Sequence, residues 1–323
     1  MLAAFWAVVL TSGGALVTGL AWLGPPRHDQ AAGRAPSPRA VAARLGGLTI
    51  VHPGPVRPAL LTPAPDFPGA FLPRIARSGL TPRVAYAAAP VPATAPRLGL
   101  VVAGIGLATA PSEAAITALP AAVDLAVSAY ARDPGAVMRA ARDHGHEVLQ
   151  SLPMEPRTYP TDSEGAAALL TGASLEDNQR NLEWVLSRGQ GYAGVTGASD
   201  GQVGAGFAAS PWLMSMVRRE VAARGLFYLD PRPGTVAAGR AGERAADIVI
   251  DPTSENEATM AADLGRLREL ALREGSAIGI VLRPDPVALA ATTRFLAVSA
   301  GSGLVLAPVS ALVTANPPEA TTP

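Results

Sequence analysis

The chain has 323 residues, 49% of them hydrophobic, with 26 basic and 26 acidic side chains and no cysteine. That is enough chain for one domain with a full core, and its balanced charge offers neither a nucleic-acid backbone nor an anionic membrane surface an electrostatic partner. The missing cysteines remove disulfides, thiolate nucleophiles and cysteine-ligated zinc together.

Residues 2–23 carry no charge and are rich in Leu, Val, Ala and Trp. The run is long enough to cross a hydrocarbon layer of roughly 30 Å as a helix, and it reads as a transmembrane anchor. Gly19 and Ala21 leave a cleaved signal segment open, although no Lys or Arg precedes the apolar run. Arg27, Arg34, Arg39 and Arg44 follow it, a charge bias that by itself would keep that side in the cytoplasm. Residues 24–96 are dense in Pro, Ala, Gly and Arg with no sustained apolar period, and are expected to form a disordered linker. His28 and His52 fall in it.

Beyond Pro96 short apolar runs alternate with helical segments, the pattern of a buried parallel sheet. Eight strands are expected, at 98–102, 125–128, 147–152, 193–196, 226–230, 247–250, 278–282 and 304–306. Ser174 with Asp177, Ser210 before Pro211, and Ser254 with Glu257 are helix starts; Gly189, Gly225 and Gly275 are stops. These units predict a (β/α) barrel of seven to eight strands over residues 97–315, followed by a disordered tail, 316–323.

In such a barrel the chemistry belongs at the C-terminal ends of the strands. The residues expected there are Ala103 and Gly104, Ser128 and Tyr130, Ser151 and Glu155, then Thr196, Ala198, Ser199 and Asp200. Later strands bring Asp230 and Arg232, Asp251, Arg283 and Asp285, and Pro308 and Ser310. The cleft set is Ser151, Glu155, Asp200, Asp230, Arg232 and Asp251. His144 and His146 open the third strand, at the opposite end, and are expected to be structural. Gly104-Ile105-Gly106 lacks the third glycine of a dinucleotide loop, because Thr109 stands there, and Asp124 opens its strand instead of ending it. Ser151 and Ser199 have no histidine placed to activate them. Tyr130, Tyr159 and Trp212 are aromatic side chains that could stack on a sugar or pack at the rim.

Residues 98–107, Leu119-Pro120, 127–130, the segment GHEVLQSLPMEPRTYP, Leu170-Thr171, and the late GSAIGI and LAPVSAL segments resemble the divergent polysaccharide deacetylase family of bacterial envelope proteins. LPMEP followed by Tyr159-Pro160 is the most specific piece. The resemblance implies a deformed (β/α) barrel related to metal-dependent carbohydrate deacetylases, in which a divalent ion such as zinc is usual. It also implies a domain in the periplasm, held to the inner membrane by the N-terminal helix, and this outweighs the arginine count. The departures fall on the functional positions. Ala103 and Gly104 stand where the resemblance implies paired aspartates, Ala198 and Ser151 stand for histidines, and Leu282-Arg283-Pro284 replaces a His-Pro pair.

A hydrolytic metal site needs about three nitrogen or oxygen ligands and an open position. The expectation is therefore a catalytically degenerate barrel, with no resident cofactor, that binds an envelope glycan or peptide, or a protein partner. A deacetylase rebuilt on the carboxylates Glu155, Asp200, Asp230 and Asp251 is the alternative.

Overall fold

A computed structural model of the chain describes residues 53–88, 95–234 and 242–313. The expected membrane anchor, the early linker and the C-terminal tail lie outside the described residues. Among those described, no helix is long and apolar enough to cross a membrane.

All eight expected strands form. They are β3 (Arg97–Ile105), β4 (Asp124–Val127), β5 (Val148–Ser151), β6 (Gly194–Thr196), β7 (Phe227–Asp230), β9 (Ile248–Ile250), β10 (Ser276–Val281) and β11 (Val305–Leu306). Three more were not anticipated: β1 (Leu61–Pro63), β2 (Phe71–Pro73) and β8 (Glu243–Ala245). The barrel strands are all parallel, in the order β8-β7-β6-β5-β4-β3-β10-β9, and β11 also pairs with β3. The two ends of that order are consecutive in the chain. Only Ala246 and Asp247 separate β8 from β9, and their amides donate to Asp230 on one side and Ile278 on the other, each at 2.8 Å. One extended segment thus pairs with β7 through its first half and β10 through its second, which closes a deformed (β/α) barrel.

Side chains alternate between two packed layers, as the two-residue period of a strand requires. Val101, Ala103, Leu149, Phe227, Leu229 and Ile280 pack inside the ring, while Leu100, Val102, Leu125, Val148 and Tyr228 face the helices. The helices are α1 (Pro82–Ala85), α2 (Thr109–Ala118), α3 (Pro134–Asp143), α4 (Leu175–Ser187), α5 (Pro211–Ala223), α6 (Glu257–Glu274) and α7 (Pro286–Ser299). Ser174 caps α4 by accepting from Asp177 N, Ser210 caps α5 ahead of Pro211, and Gly275 ends α6 at φ 80°. The start of α6 differs from expectation. Asn256 is its cap, accepting from Thr259 N, because the Ser254 hydroxyl is drawn instead to the Asp251 carboxylate at 2.9 Å.

The expected linker is corrected over residues 53–88. There β1 and β2 form an antiparallel hairpin, and Leu60, Leu72 and Tyr86 are buried at 2% exposure or less. Leu60 and Tyr86 join the interior cluster with Val309 and Val313, stoppering the end of the barrel where the strands begin. Each such burial stabilises by roughly 1.5–3 kcal/mol. The apolar residues reach the core singly, between proline turns, so no period announced them.

The bottom of the barrel is also polar. His146 is fully buried, with its ring nitrogens 2.8 Å from Val123 O and 2.9 Å from Ile116 O. Its role is structural, as expected, and burial lowers its pKa more than those carbonyls raise it. Pro308 and Ser310 are corrected to this end too. β11 is a two-residue strand that pairs only with the start of β3, so the chain leaves it at the bottom of the barrel.

Candidate functional site at the barrel mouth

The mouth is built by the strand exits and by the long segment between β5 and α4. A connection of that length, with one β-bridge between Met154 and Leu169 and no helix or named strand, is uncommon inside a compact domain and is a functional signal in itself. It brings Glu164 over the exit of β6. Two adjoining cavities lie there, of about 220 and 180 Å³. Both are lined by Leu107 and Asp200; the first adds Tyr130, Glu164 and Ser199, the second Gly104 and Arg283.

Tyr130 is pinned where it stands. Its hydroxyl accepts from Ala167 N at 2.9 Å, and its ring lies so close to Gly165 that a Cβ there would come within 2.8 Å. Gly165 also has φ 88°, so two demands meet at one residue that only glycine satisfies without strain. Asp200 takes φ 37°, a left-handed conformation uncommon for a side chain with a Cβ. Arg283 holds it, donating to Asp200 O at 2.9 Å with the carboxylate at 3.4 Å.

Glu164, at 8% exposure, is the most perturbed acid of the mouth. Burial pushes its carboxyl up to about 7, against a hydrogen bond with the Ser199 side chain; neighbouring Asp200 pushes it up further, and Arg283 opposes. The fold therefore holds more protons than the unfolded chain between the ordinary glutamate range and pH 7, so stability falls as pH rises through that window. Glu164→Gln is expected to remove this contribution, and chemical-denaturation midpoints measured between pH 4.5 and 8 will show it as a flatter profile.

The expected cleft residues do not form one set. Asp200 is at the mouth. Glu155 faces away toward Thr171, accepting from its amide at 2.7 Å and from its hydroxyl at 2.8 and 2.9 Å. Asp230, 1% exposed, is closed in an ion pair with Arg232 at 2.6 Å, and Arg232 also donates to Ala208 O. Asp251 tends to be neutralised by burial, but hydrogen bonds from Thr253 and Ser254 outweigh this and hold its pKa below the usual value. Ser151 is fully buried, and its Oγ has no hydrogen-bond partner among the described residues. Tyr159 and Trp212 are exposed, at 43% and 62%, and neither lines the mouth cavities.

The donor set does not fit the divalent ion that the resemblance implies. No group of three His, Asp or Glu side chains among the described residues is arranged to hold a metal ion. The positions of the implied aspartates carry no donor side chain. Ala103 is fully buried inside the ring, and Gly104 sits at φ 72° in the irregular stretch of β3, where a Cβ would stand 3.3 Å from Leu282 O. Ala198 is likewise fully buried.

Glu164 was missed in the sequence because it sits in a Ser/Gly/Thr-rich segment with no motif around it. Length of the connection was the one available signal. Phe67 and Trp184, which border the mouth beside Tyr130, were missed as well.

No curated protein matches the chain. The crystal structure of an uncharacterized protein from Agrobacterium tumefaciens C58 is similar, with a TM-score of 0.69 and 30% identity, covering 76% of this chain and 100% of that one. The family model described as divergent polysaccharide deacetylase matches residues 100–313, which spans β3 to the end of the described barrel. The chain belongs to the divergent polysaccharide deacetylase family.

Proposed function

We propose that this protein is a non-hydrolytic member of its family that binds a glycan of the cell envelope at the barrel mouth, with the N-terminal apolar run tethering it to the inner membrane and the barrel in the periplasm. The observation that carries the reading is the missing donor set at the metal positions. Ala103, Gly104 and Ala198 bring no ligand atom in their side chains, and Glu155, Asp230 and Asp251 are each engaged within the chain. A bound water would have neither a metal to lower its pKa nor the convergent ligands to hold one.

What the mouth retains is suited to binding. Tyr130 offers a fixed ring face, Ser199 and Glu164 offer hydroxyl and carboxyl groups at neutral pH, and Arg283 offers a guanidinium partly spent on Asp200. A polyhydroxylated ligand can use each of these without being cleaved. The carboxylate-rebuilt deacetylase would need Glu155, Asp230 and Asp251 to abandon their present partners.

Metal analysis of the purified full chain, with acetate release from acetylated oligosaccharides before and after chelation, tests the reading. The expected result is substoichiometric metal, no chelator-sensitive acetate release, and oligosaccharide binding that survives chelation and weakens at least tenfold in Tyr130→Ala. Stoichiometric zinc together with chelator-sensitive acetate release would overturn it.

A further inference from the structure

The mouth continues past Tyr130 into a third cavity, of about 360 Å³, lined by Phe67, Tyr130, Ala166, Arg180, Asn181 and Trp184. Tyr130 lines both this space and the smaller cavity holding Glu164, so the two are neighbours across one ring. Three elements remote in sequence supply the aromatic wall. Phe67 comes from the turn of the β1–β2 hairpin, where Ala64 N donates to Ala70 O and Ala70 N to Phe67 O, each at 2.9 Å; Tyr130 comes from the exit of β4, and Trp184 from α4.

The wall is preorganised. The Tyr130 and Trp184 rings stand 5.6 Å apart at 42°. The Arg188 guanidinium lies 5.1 Å from the Trp184 ring centroid and is itself tied to Ala129 O at 3.0 Å. Rings already held by their neighbours lose little freedom when a ligand arrives. The rim is polar but carries no acid: Asn181 spends one amide hydrogen on Ala168 O, leaving its other N–H and its carbonyl oxygen, and Arg180 stands beside it.

We infer that the Phe67–Tyr130–Trp184 groove is an accessory subsite that stacks a further pyranose ring of a linear glycan whose neighbouring units occupy the mouth. The inference rests on the reading of the mouth as a glycan site and adds a chain-length requirement to it. A pyranose presents apolar C–H faces and a rim of hydroxyl groups, which matches inclined rings flanked by an amide and a guanidinium. An extended peptide finds less here, because one side of the groove is α4, whose backbone amides are already bonded within the helix. Phe67 lies outside the segment that the family model matches.

The test is calorimetric titration of the full chain with chito-, cello- and malto-oligosaccharides of two and six units. In the series that binds, the hexamer is expected to bind at least tenfold tighter than the dimer. Phe67→Ala and Trp184→Ala should bring the hexamer to within about threefold of the dimer and leave the dimer unchanged. Trp184→Phe should keep most of the gain, and Trp212→Ala, on an exposed ring elsewhere, all of it. Should Trp184→Ala fail to fold, Phe67→Ala on the hairpin turn supplies the same readout. A hexamer advantage that survives Phe67→Ala and Trp184→Ala overturns the subsite and leaves the mouth reading standing. Absence of binding by every saccharide overturns both. Tight binding of an acetylated hexaalanine probe, lost in Phe67→Ala, assigns the groove to polypeptide and overturns the inference.

Discussion

Glu147→Ala is expected to remove about 3–6 kcal/mol of folding stability, a large fraction of what a domain of ordinary stability has, as read from urea denaturation midpoints. Glu147 is fully buried at the bottom of the barrel and ties three parts of the chain together. Its carboxylate accepts from Ala88 N at 3.0 Å, from Ser310 N at 2.9 Å and from the Ser310 hydroxyl at 2.5 Å. Beside it, Asp124 accepts from Val309 N at 2.7 Å and hydrogen-bonds to Glu147 itself. Truncation would strand buried donors on both flanking segments, each costing about 1–3 kcal/mol, and would open a cavity between them.

The same pair makes stability depend on pH. Burial pushes Asp124 well above the usual carboxylate range, and the neighbouring Glu147 adds to this while the Val309 amide opposes it. Burial raises Glu147 too, against its hydrogen bonds from Ser310, Ala88 and Asp124. Both folded-state values lie above the unfolded ones, so the contribution is complete below the ordinary carboxylate range near pH 4 and declines as pH rises through the folded values. Asp124→Asn keeps an acceptor for Val309 and a donor for Glu147. It is expected to fold, and to flatten the alkaline side of the stability profile.

Arg232→Ala is expected to cost about 3–5 kcal/mol, because it leaves Asp230 as an uncompensated buried charge. The Arg232 guanidinium meets both carboxylate oxygens, at 2.9 and 2.6 Å, and fastens the exit of β7 to Ala208 O at 2.9 Å. The bidentate hydrogen bond is the main reason the guanidinium holds its proton more tightly than usual. Arg232→Lys can supply the charge without the fork and should recover only part of the loss. Thermal unfolding of the two variants separates pairing from charge: equal melting temperatures for Arg232→Ala and wild type would show that the pair holds nothing together.

The barrel was legible because its strands are buried on both faces and therefore read as apolar runs between turn residues. Segments such as 278–282 and 226–230 announce themselves in that way. β8 did not, because Glu243 and Arg244 in it are only half buried and charged, which suits a segment that pairs with β7 along one part of its length only. The hairpin was hidden by its prolines, which mark turns whether or not the turns are packed. At the site, Asp200 and Tyr130 follow from their positions after strands. Glu164 does not, since its place is set by how a long connection folds back over the mouth. The ion pair of Asp230 with Arg232 shows the limit from the other direction: two residues correctly placed at a strand end turned out to be occupied with each other.

The chain enters the described fold at Pro53, beside Asp143 at the end of α3, and its last described residue, Val313, receives a hydrogen bond from Arg83. Both points lie at the stoppered end, where Leu60, Tyr86 and Val309 fill the ring. The cavities lined by Asp200 lie at the other pole. A barrel fixed to a support at Pro53 or Val313 would therefore present its mouth outward, so protein immobilised at those points and free protein should report the same affinity.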